Sequence, residues 1–404
     1  MKDLKERAKK ALEKKSIYGR DINFDDYQQE GSTHEYISDL NSIAEAEKAQ
    51  MLKAGIDTNQ KERSGTFLQF DHSVIHCNIR QDGVEIMSTV DAIEKYPWLE
   101  QYWWKAVQVD TDKYTARAEL HQEHGYFIRS LKGVKTIFPV QACLYMSRDN
   151  LIQDLHNIII AEENSELHII TGCATASHVK KGLHVGISEF YIKKGAKLSF
   201  TMIHSWAEEL VTRPRSVAIV EQGGVFLSNY ICLKPAKDIQ MYPTAILEGE
   251  NSIAQFNSII VAYPNSEMDI GSRVILRAKG ARAEIISRAL SSGGTIIARG
   301  HLRGEVEDIK AHLECRGLIL SERGRIHAIP ELEGLVSQVD MSHEAAVGKI
   351  DQEQIKYLRA RGLSESEATS LIVRGFLNVD IVGLPEDLRK HLQKVMEESE
   401  KDLF

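Results

Sequence analysis

Proline, cysteine and long apolar runs are all scarce in this sequence. Only eight prolines occur among 404 residues, which favours long β-ladders because proline cannot donate a ladder hydrogen bond. No apolar run approaches the roughly 18 residues that a membrane helix needs. The first 15 residues, MKDLKERAKKALEKK, lack the apolar segment of a secretory signal. We therefore expect a cytoplasmic protein that has no membrane partner.

The cysteines are few, odd in number and scattered, and no two of them form a C-x-x-C pair. This is not the pattern of a disulfide framework, and free thiols are the default in a reducing cytosol. Apart from Cys315, we expect them to be small buried hydrophobes. The five positions are Cys77, Cys143, Cys173, Cys232 and Cys315.

Familiar catalytic motifs are also missing. There is no G-x-x-x-x-G-K-[ST] loop, so this chain should not hydrolyse nucleotide itself, and there is neither a Rossmann glycine fingerprint nor a G-x-S-x-G elbow. His343 and Glu344 begin a pattern like H-E-x-x-H, but Val347 stands at the second histidine position, which excludes a zincin. A net charge of −8 and a pI near 6.0 argue against a nucleic-acid partner.

Residues 1–125 are predicted to form a mixed, largely helical region. Ser42 and Glu45 have the spacing of a capping box, and Gly55 is placed to end the helix that follows. A second helical piece is expected from Asp91. Helices of this kind more often pack against a neighbour than carry chemistry.

Residues 126–340 are predicted to form a parallel β-helix. Short runs rich in Ile, Val and Leu follow one another without any periodic segment of helix length between them. Turn residues recur at intervals of 28 and then of 14 or 15, which indicates a coil of two strands and two turns. An antiparallel sandwich would need hairpin turns of the Asn-Gly or Asp-Gly type, which are few here. The recurring residues are Gly195, Gly223, Asn251, Asn265, Gly280, Gly294 and Asp308.

Residues 341–404 are predicted to form a helical domain. Asp351 starts one helix that Gly362 ends, Ser364 and Glu367 form a second capping box, and Pro385 suits the first turn of a third helix. This domain either caps the end of the solenoid or is a docking platform for a partner.

The chemistry of the chain is concentrated between residues 305 and 351. Cys315, His343 and Glu344 offer the thiolate, imidazole and carboxylate that a transition metal binds. Cys315 and His343 are 28 residues apart, so a 28-residue coil predicts that they lie close in space. The alternative is a buried thiol and a helix-capping histidine. One thiolate cannot hold an iron–sulfur cluster, but a two-fold dimer supplies two.

The segments ARGHLRG, ECRGLIL, GRIHAIPELE and SHEAAVGKIDQEQIKYLRARGLSESEATSLIVRGFL closely resemble the SufB/SufD family of iron–sulfur cluster assembly scaffolds. The resemblance covers residues 126–404 and is most specific in the C-terminal third. It implies a mostly β fold: a right-handed parallel β-helix flanked by the N-terminal helical region and the C-terminal helical domain.

The resemblance also implies a site. In B-type members a cysteine followed at this spacing by His-Glu is thought to carry the nascent cluster, so Cys315, His343 and Glu344 are the expected ligands of a transient [4Fe-4S] or [2Fe-2S] cluster. Arg316 and His327 are expected close to them. Bacterial B-type proteins have an interior cysteine thought to receive sulfur, and Val220 stands there in this sequence.

The partners implied by the resemblance are a SufC-type ABC ATPase on the C-terminal helices, a second copy of the chain or a SufD-type paralogue, and apo-proteins that accept the cluster. The chain itself is then an assembly scaffold and not an enzyme. Two alternatives stay open: a D-type interaction subunit whose cluster ligands come mainly from a paralogue, and a carbohydrate-active β-helix enzyme.

Overall fold

The computed structural model describes residues 2–121 and 124–377, and it is a β-solenoid with helices at both ends of the chain. Two long sheets, of ten and eleven strands, form its walls. Apart from the strands at the N-terminal end, neighbouring strands in each sheet are parallel. The predicted β-helix is therefore confirmed. The third predicted C-terminal helix, from Pro385, lies outside the described residues.

The strands that build the two walls are mostly six to twelve residues long. Their bounds are β1 Gly65–Phe70, β2 Ser73–Ile79, β3 Val84–Ser88, β4 Tyr126–Ser130, β5 Val140–Met146, β6 Leu151–Ala161, β7 Glu166–Thr175, β8 Lys181–Ile192, β9 Lys197–Ser205, β10 Glu209–Thr212, β11 Arg215–Val220, β12 Val225–Cys232, β13 Asp238–Met241, β14 Thr244–Leu247, β15 Ile253–Ala262, β16 Glu267–Leu276, β17 Arg282–Ser291, β18 Thr295–Gly304, β19 Ile309–Ile319, β20 Arg325–Gly334 and β21 Val339–Lys349.

Within the described residues, six α-helices flank the walls. They are α1 Lys2–Ala11, α2 Glu45–Lys53, α3 Thr89–Lys95, α4 Lys113–His121, α5 Gln352–Ala360 and α6 Glu365–Leu377. In the described parts of the chain, no helix has both the length and the apolar character to cross a bilayer.

Of the two predicted capping boxes, one is confirmed and the other is wrong. Ser364 and Glu367 form the expected capping box: the Ser364 amide donates to the Glu367 carboxylate at 2.8 Å, and the Glu367 amide donates to the Ser364 hydroxyl at 3.2 Å. The capping box at Ser42 is wrong, because the hydroxyl of Ser42 instead donates to the Asp39 carbonyl and α2 begins after Ala44 without a side-chain cap.

Five of the seven recurring turn residues stack into one column along the solenoid, and Asn265 and Gly294 lie outside it. Gly195, Gly223, Asn251, Gly280 and Asp308 all have φ between 58° and 72°, the left-handed region that glycine, asparagine and aspartate tolerate best. Each amide in the column bonds to a carbonyl of the next turn, as from Gly195 to Gln222 at 2.8 Å. The backbone conformation that a sharp corner requires therefore accounts for the period seen in the sequence.

The lumen of the solenoid is the main core. Alternate residues of each strand point inwards and form columns, such as Leu198, Phe226, Ala254 and Ala283, which pair in register from β9 to β17. Parallel pairing places like residues over one another at about 4.7–4.9 Å. Each coil therefore buries its inner face only because another coil lies on either side of it.

The helices cover the outer faces of the walls. Helices α1 and α4 and the loop around Trp103 and Trp104 cover the sheet that contains β6 and β8. Helix α2 packs on the N-terminal half of the other sheet, and α6 packs on its C-terminal half through Val373 and Leu377. The described part of the C-terminal region thus lies against the side of the solenoid and does not cover its end.

Candidate functional site

The C-terminal end of the solenoid, formed by β19, β20 and β21, contains the predicted site residues. Cys315 lies in β19 on the same face as Leu313 and Gly317. Its side chain belongs to the lumen core, with only 2% of its surface exposed. In register it pairs with Ser287 on one side and with Ala345 on the other. The thiol therefore faces the lumen in the last coil but one.

His343 lies in the last strand, β21, on the same face as Cys315. It pairs with Leu313, which is fully buried, yet His343 is itself exposed because no further coil covers β21. The imidazole is one coil away from the thiol and offset by two residues along the strand. The structure therefore brings Cys315 and His343 to one surface at the open end of the lumen.

Glu344 lies on the opposite face of β21, outside the solenoid. Glu344 pairs in register with Glu314. The carboxylates of Glu344 and Glu314 and the imidazole of His312 form a group whose ligand atoms all lie within 4.8 Å of one another. The predicted set is thus divided, with the thiol and His343 on the inner face and Glu344 on the outer face. The sequence reasoning missed His312 and Glu314, although strand alternation in AHLEC places both opposite to Cys315.

Arginines already balance the charge of this outer group. Arg288 pairs with Glu314, and Arg316 lies 3.1 Å from Glu314 and 3.9 Å from Glu344. The Nδ1 atom of His312 lies 2.9 Å from the Ser342 hydroxyl, which orients the ring. A divalent cation here would have to compete with two guanidinium groups for the same carboxylates. The outer group is therefore a weaker candidate than the inner pair.

The length of the last coil explains this arrangement. Ser287 and Cys315 pair at a separation of 28 residues, but Cys315 pairs with Ala345, which is 30 residues further on. The two extra residues bring His343 opposite Leu313 and not opposite the thiol. Because two is an even number, His343 stays on the lumen face, and its neighbour Glu344 must then face outwards.

The thiol of Cys315 is protonated at neutral pH. Burial raises its pKa to about 11, and the nearby carboxylate of Glu314 adds to this effect. A metal ligand must be a thiolate, so binding of iron at Cys315 would release a proton.

Two residues that were expected near the site have different positions. Arg316 contacts Glu314 and Glu344 on the outer face. His327 lies in β20, which belongs to the other wall, where it is exposed and pairs with Ile297. His327 is therefore not brought to the thiol by the fold.

Further thiols lie deeper in the lumen. Cys173 and Cys232 both pair in register with His204, so the three form one inner column. Burial lowers the pKa of His204 well below its ordinary value and raises that of Cys232 to about 12. Val220 is fully buried in the lumen core. These groups lie several coils away from the open end, whereas only the last coil lies between Cys315 and that end.

Comparisons with known proteins identify the family of this chain. Residues 144–376 match the family model described as SUF system FeS cluster assembly, SufBD core domain. An iron–sulfur cluster assembly SufBD family protein of Methanothermobacter thermautotrophicus is 48% identical over the full length of both chains. One of Archaeoglobus fulgidus is 51% identical over 89% of this chain and 96% of its own. SufB of Bacillus subtilis is more distant, at 28% identity over 88% of this chain and 78% of its own.

Proposed function

This chain belongs to the SufBD family of the SUF system for iron–sulfur cluster assembly, and on that basis we propose that it is a scaffold on which a cluster is built and then released. Its cargo is a transient [4Fe-4S] or [2Fe-2S] cluster. Family membership also argues against the carbohydrate-active enzyme that a β-helix alone would permit.

The observation that carries this proposal is the position of Cys315 and His343 on one lumen face at an uncovered end. Soft sulfur and borderline imidazole are ligands that suit iron in clusters. A cluster bound there is close to the surface, so an acceptor protein can approach it. The deeper thiols, such as Cys173, are separated from this end by further coils.

A second copy of the chain would complete the ligand set. The outer edges of β20 and β21 pair with no strand of the described chain, and Leu332, Leu335 and Val347 are exposed at 37%, 52% and 43% there. Unpaired edges and exposed apolar side chains are features of an interface. Two copies meeting at this end across a two-fold axis bring two thiolates and two imidazoles together.

Glu344 is the oxygen ligand in this proposal. In the proposed dimer, a strand of the second copy runs along the free edge of β21. Such a strand borders both faces of β21, so it can reach the outward carboxylate of Glu344. Mixed ligation of this kind holds a cluster less firmly than four thiolates do. Weak holding suits a scaffold, because the cluster must leave.

The C-terminal helices are proposed as the docking site of a SufC-type ATPase. Helix α6 buries Val373 and Leu377 against the solenoid, while Leu371 remains 48% exposed and Tyr357 of α5 57% exposed. This chain has no nucleotide-binding loop of its own, so ATP hydrolysis would occur on the partner. Closure of two ATPase subunits would move the helices and reshape the dimer interface.

The alternative is a D-type subunit that relies on a paralogue for most cluster ligands. The presence of Cys315 together with His343 and Glu344 favours the B type, or an undivided form that works as a homodimer. A chain of this kind, purified alone, takes up a cluster. A D-type chain takes one up only with its paralogue.

The test is anaerobic reconstitution with ferrous iron and sulfide, followed by measurement of bound iron, sulfide and the visible absorption. The wild-type dimer should bind a cluster, and Cys315→Ala should lose most of it because no second thiol lies at this end. Cys77→Ala, at the opposite end of the chain, is the matched control and should bind as the wild type does. Equal cluster content in Cys315→Ala and the wild type would sink the ligand assignment.

A further inference from the structure

A cleft of about 430 Å³ lies on the outer face of the wall that contains β11, β14 and β16, away from the cluster site. One register column forms its floor. Val217, Thr244, Arg273, His301 and Glu331 pair in sequence across five coils, from β11 to β20. The column runs out from beneath the N-terminal helical layer: Val217 packs against that layer, Thr244 is 4% exposed, and Glu331 at the other end is exposed. The volume lies within the range of small-molecule sites, which is about 300–1,000 Å³.

An N-terminal segment forms one side of the cleft. Ile17 and Tyr18 line it, and the Tyr18 ring meets the Tyr242 ring edge-on with 5.4 Å between centroids. The Arg299 guanidinium lies 4.2 Å from the centre of the Tyr18 ring, and Asp269 holds it at 2.6 Å. The side wall is therefore aromatic and fixed in position, which suits a flat ligand.

Three polar atoms of the lining have no hydrogen-bond partner in the described chain. They are Oε1 of Gln240, the hydroxyl of Tyr242 and Nε of Arg273. Gln240 is only 2% exposed, and Gly19 packs closely over its side chain. A buried polar atom without a partner costs about 1–3 kcal/mol. Three such atoms around one cleft indicate a ligand that supplies both an acceptor and a donor.

The charged groups of the lining determine where a charged ligand can lie. Glu331 has no ion pair among the described residues and acts electrostatically on Tyr242, so a negative group lies on the Arg273 side of the cleft. Arg215 is neutralised by Asp112 at 2.7 Å, and His301 lies 3.4 Å from Glu333. Arg273 has no carboxylate within ion-pair distance among residues 2–121 and 124–377, and its guanidinium lies 5.9 Å from the centre of the Tyr242 ring. A partly buried guanidinium without a counter-ion favours an anion.

We propose that this cleft binds a small anionic molecule with a flat aromatic body, whose negative group lies at Arg273 and whose ring packs on Tyr18 and Tyr242. The hydroxyl of Tyr242 donates to the same negative group, and Oε1 of Gln240 accepts a hydrogen bond from an N–H or O–H of the ligand. The occupant is a small molecule because the opening lies between fixed walls and the floor strands from β11 to β18 are paired on both sides.

The test uses 8-anilinonaphthalene-1-sulfonate, which combines a flat aromatic body with one negative charge, in a fluorescence titration of the full-length protein. Saturable binding should weaken by at least about tenfold in Arg273→Gln, because a charge-assisted hydrogen bond is lost. Ile17→Glu, at a residue that is 90% exposed on the rim, should fold normally and weaken binding by repulsion. Arg277→Gln is the control, since Arg277 pairs with Glu305 outside the cleft.

A neutral probe separates the charge from the apolar contact. N-Phenyl-1-naphthylamine should bind at least about tenfold more weakly than the sulfonate and should not respond to Arg273→Gln. The proposal is overturned if the wild type shows no saturable binding of the sulfonate, or if both cleft variants bind it as the wild type does. It is also overturned if Arg277→Gln weakens binding as much as Arg273→Gln. These readouts do not depend on cluster loading, so they stay separate from the test at Cys315.

Discussion

The two ends of the solenoid are built differently. At the N-terminal end the chain folds back on itself: β3 pairs antiparallel with β4, β2 pairs antiparallel with β1, and residues 34–37 run beside β2, where the Ile37 amide donates to the Ile75 carbonyl. At the C-terminal end, β20 and β21 simply stop, with no described strand beyond them.

The same columns show what this difference does to side chains. Leu302 in β18 and Leu313 in β19 are fully buried, but their register partners in the last coil, Leu332 and His343, are exposed. At the closed end the inner face is covered, and its burial stabilises the fold. The open end leaves its inner face available, and that is where the soft ligands lie. The proposed cluster site therefore occupies the place where one further coil would have completed the core.

The largest expected effect lies near the closed end, where the N-terminal helical layer covers the outer face of β8. The buried carboxylate of Glu189 accepts hydrogen bonds from the amides of Trp104, Ala106 and Val107 and lies 2.9 Å from His156. Glu189→Ala leaves these buried donors without an acceptor, so we expect the free energy of unfolding in urea to fall by about 3–5 kcal/mol.

The same substitution at the open end provides the comparison. Glu344→Ala removes an exposed carboxylate and should change the free energy of unfolding by no more than about 0.5 kcal/mol. If the two variants lose similar stability, the contrast between a closed and an open end is wrong.

The next largest effect concerns self-association. Val347→Asp places a charge on the exposed lumen face of β21, and a two-fold contact would bring two such charges together. We expect the dimer dissociation constant, measured by analytical ultracentrifugation, to rise by at least about 100-fold. Val90→Asp, on the exposed side of α3 at the other end, is the control. A Val347→Asp dimer of undiminished affinity would place the interface elsewhere.

The smallest effect concerns the reactivity of thiols at the two ends. Burial raises the pKa of both Cys315 and Cys77 to about 11. Less thiolate is then present at pH 8, although each thiolate is a better nucleophile, so alkylation by iodoacetamide should be about tenfold slower than for an unperturbed thiol. The rate should rise through pH 9–11 at both sites.

Cluster loading should break this similarity. It should protect Cys315 from alkylation and leave Cys77 unchanged, as mass spectrometry of peptides can measure. Equal protection at both thiols would contradict a site confined to the open end. The raised pKa of Cys315 also makes the free energy of unfolding depend on pH. The protonated thiol favours the folded state below about pH 9, and this contribution is lost as the pH rises towards 11.

The repeat was predictable because few residues tolerate a left-handed backbone. Gly195, Gly223 and Asn251 are spaced evenly because each takes the corner of one coil. The capping box at Ser364 was predictable for a similar local reason. The one at Ser42 was not, because Ser42 ends a short turn over Leu40–Ser42 and α2 begins only after Ala44.

The site was predictable only in part. Strand alternation correctly groups Cys315 with Leu313 and Gly317, but whether that face is inside depends on the whole wall. The position of His343 depends on two extra residues in the last coil, and turns accept such insertions at little cost. The neighbours of Glu344 therefore change with coil length, which no local pattern in the sequence reports.

The free edges of β20 and β21 also limit the ways in which copies of this protein can assemble. A solenoid with two bare ends would add copies head to tail without limit and grow into a fibre. Here the antiparallel hairpin of β1 and β2, together with residues 34–37, covers the N-terminal end and prevents such growth. In the proposed dimer, the bare end of one copy would join the bare end of another, and that contact would leave no free end, so assembly would stop at two.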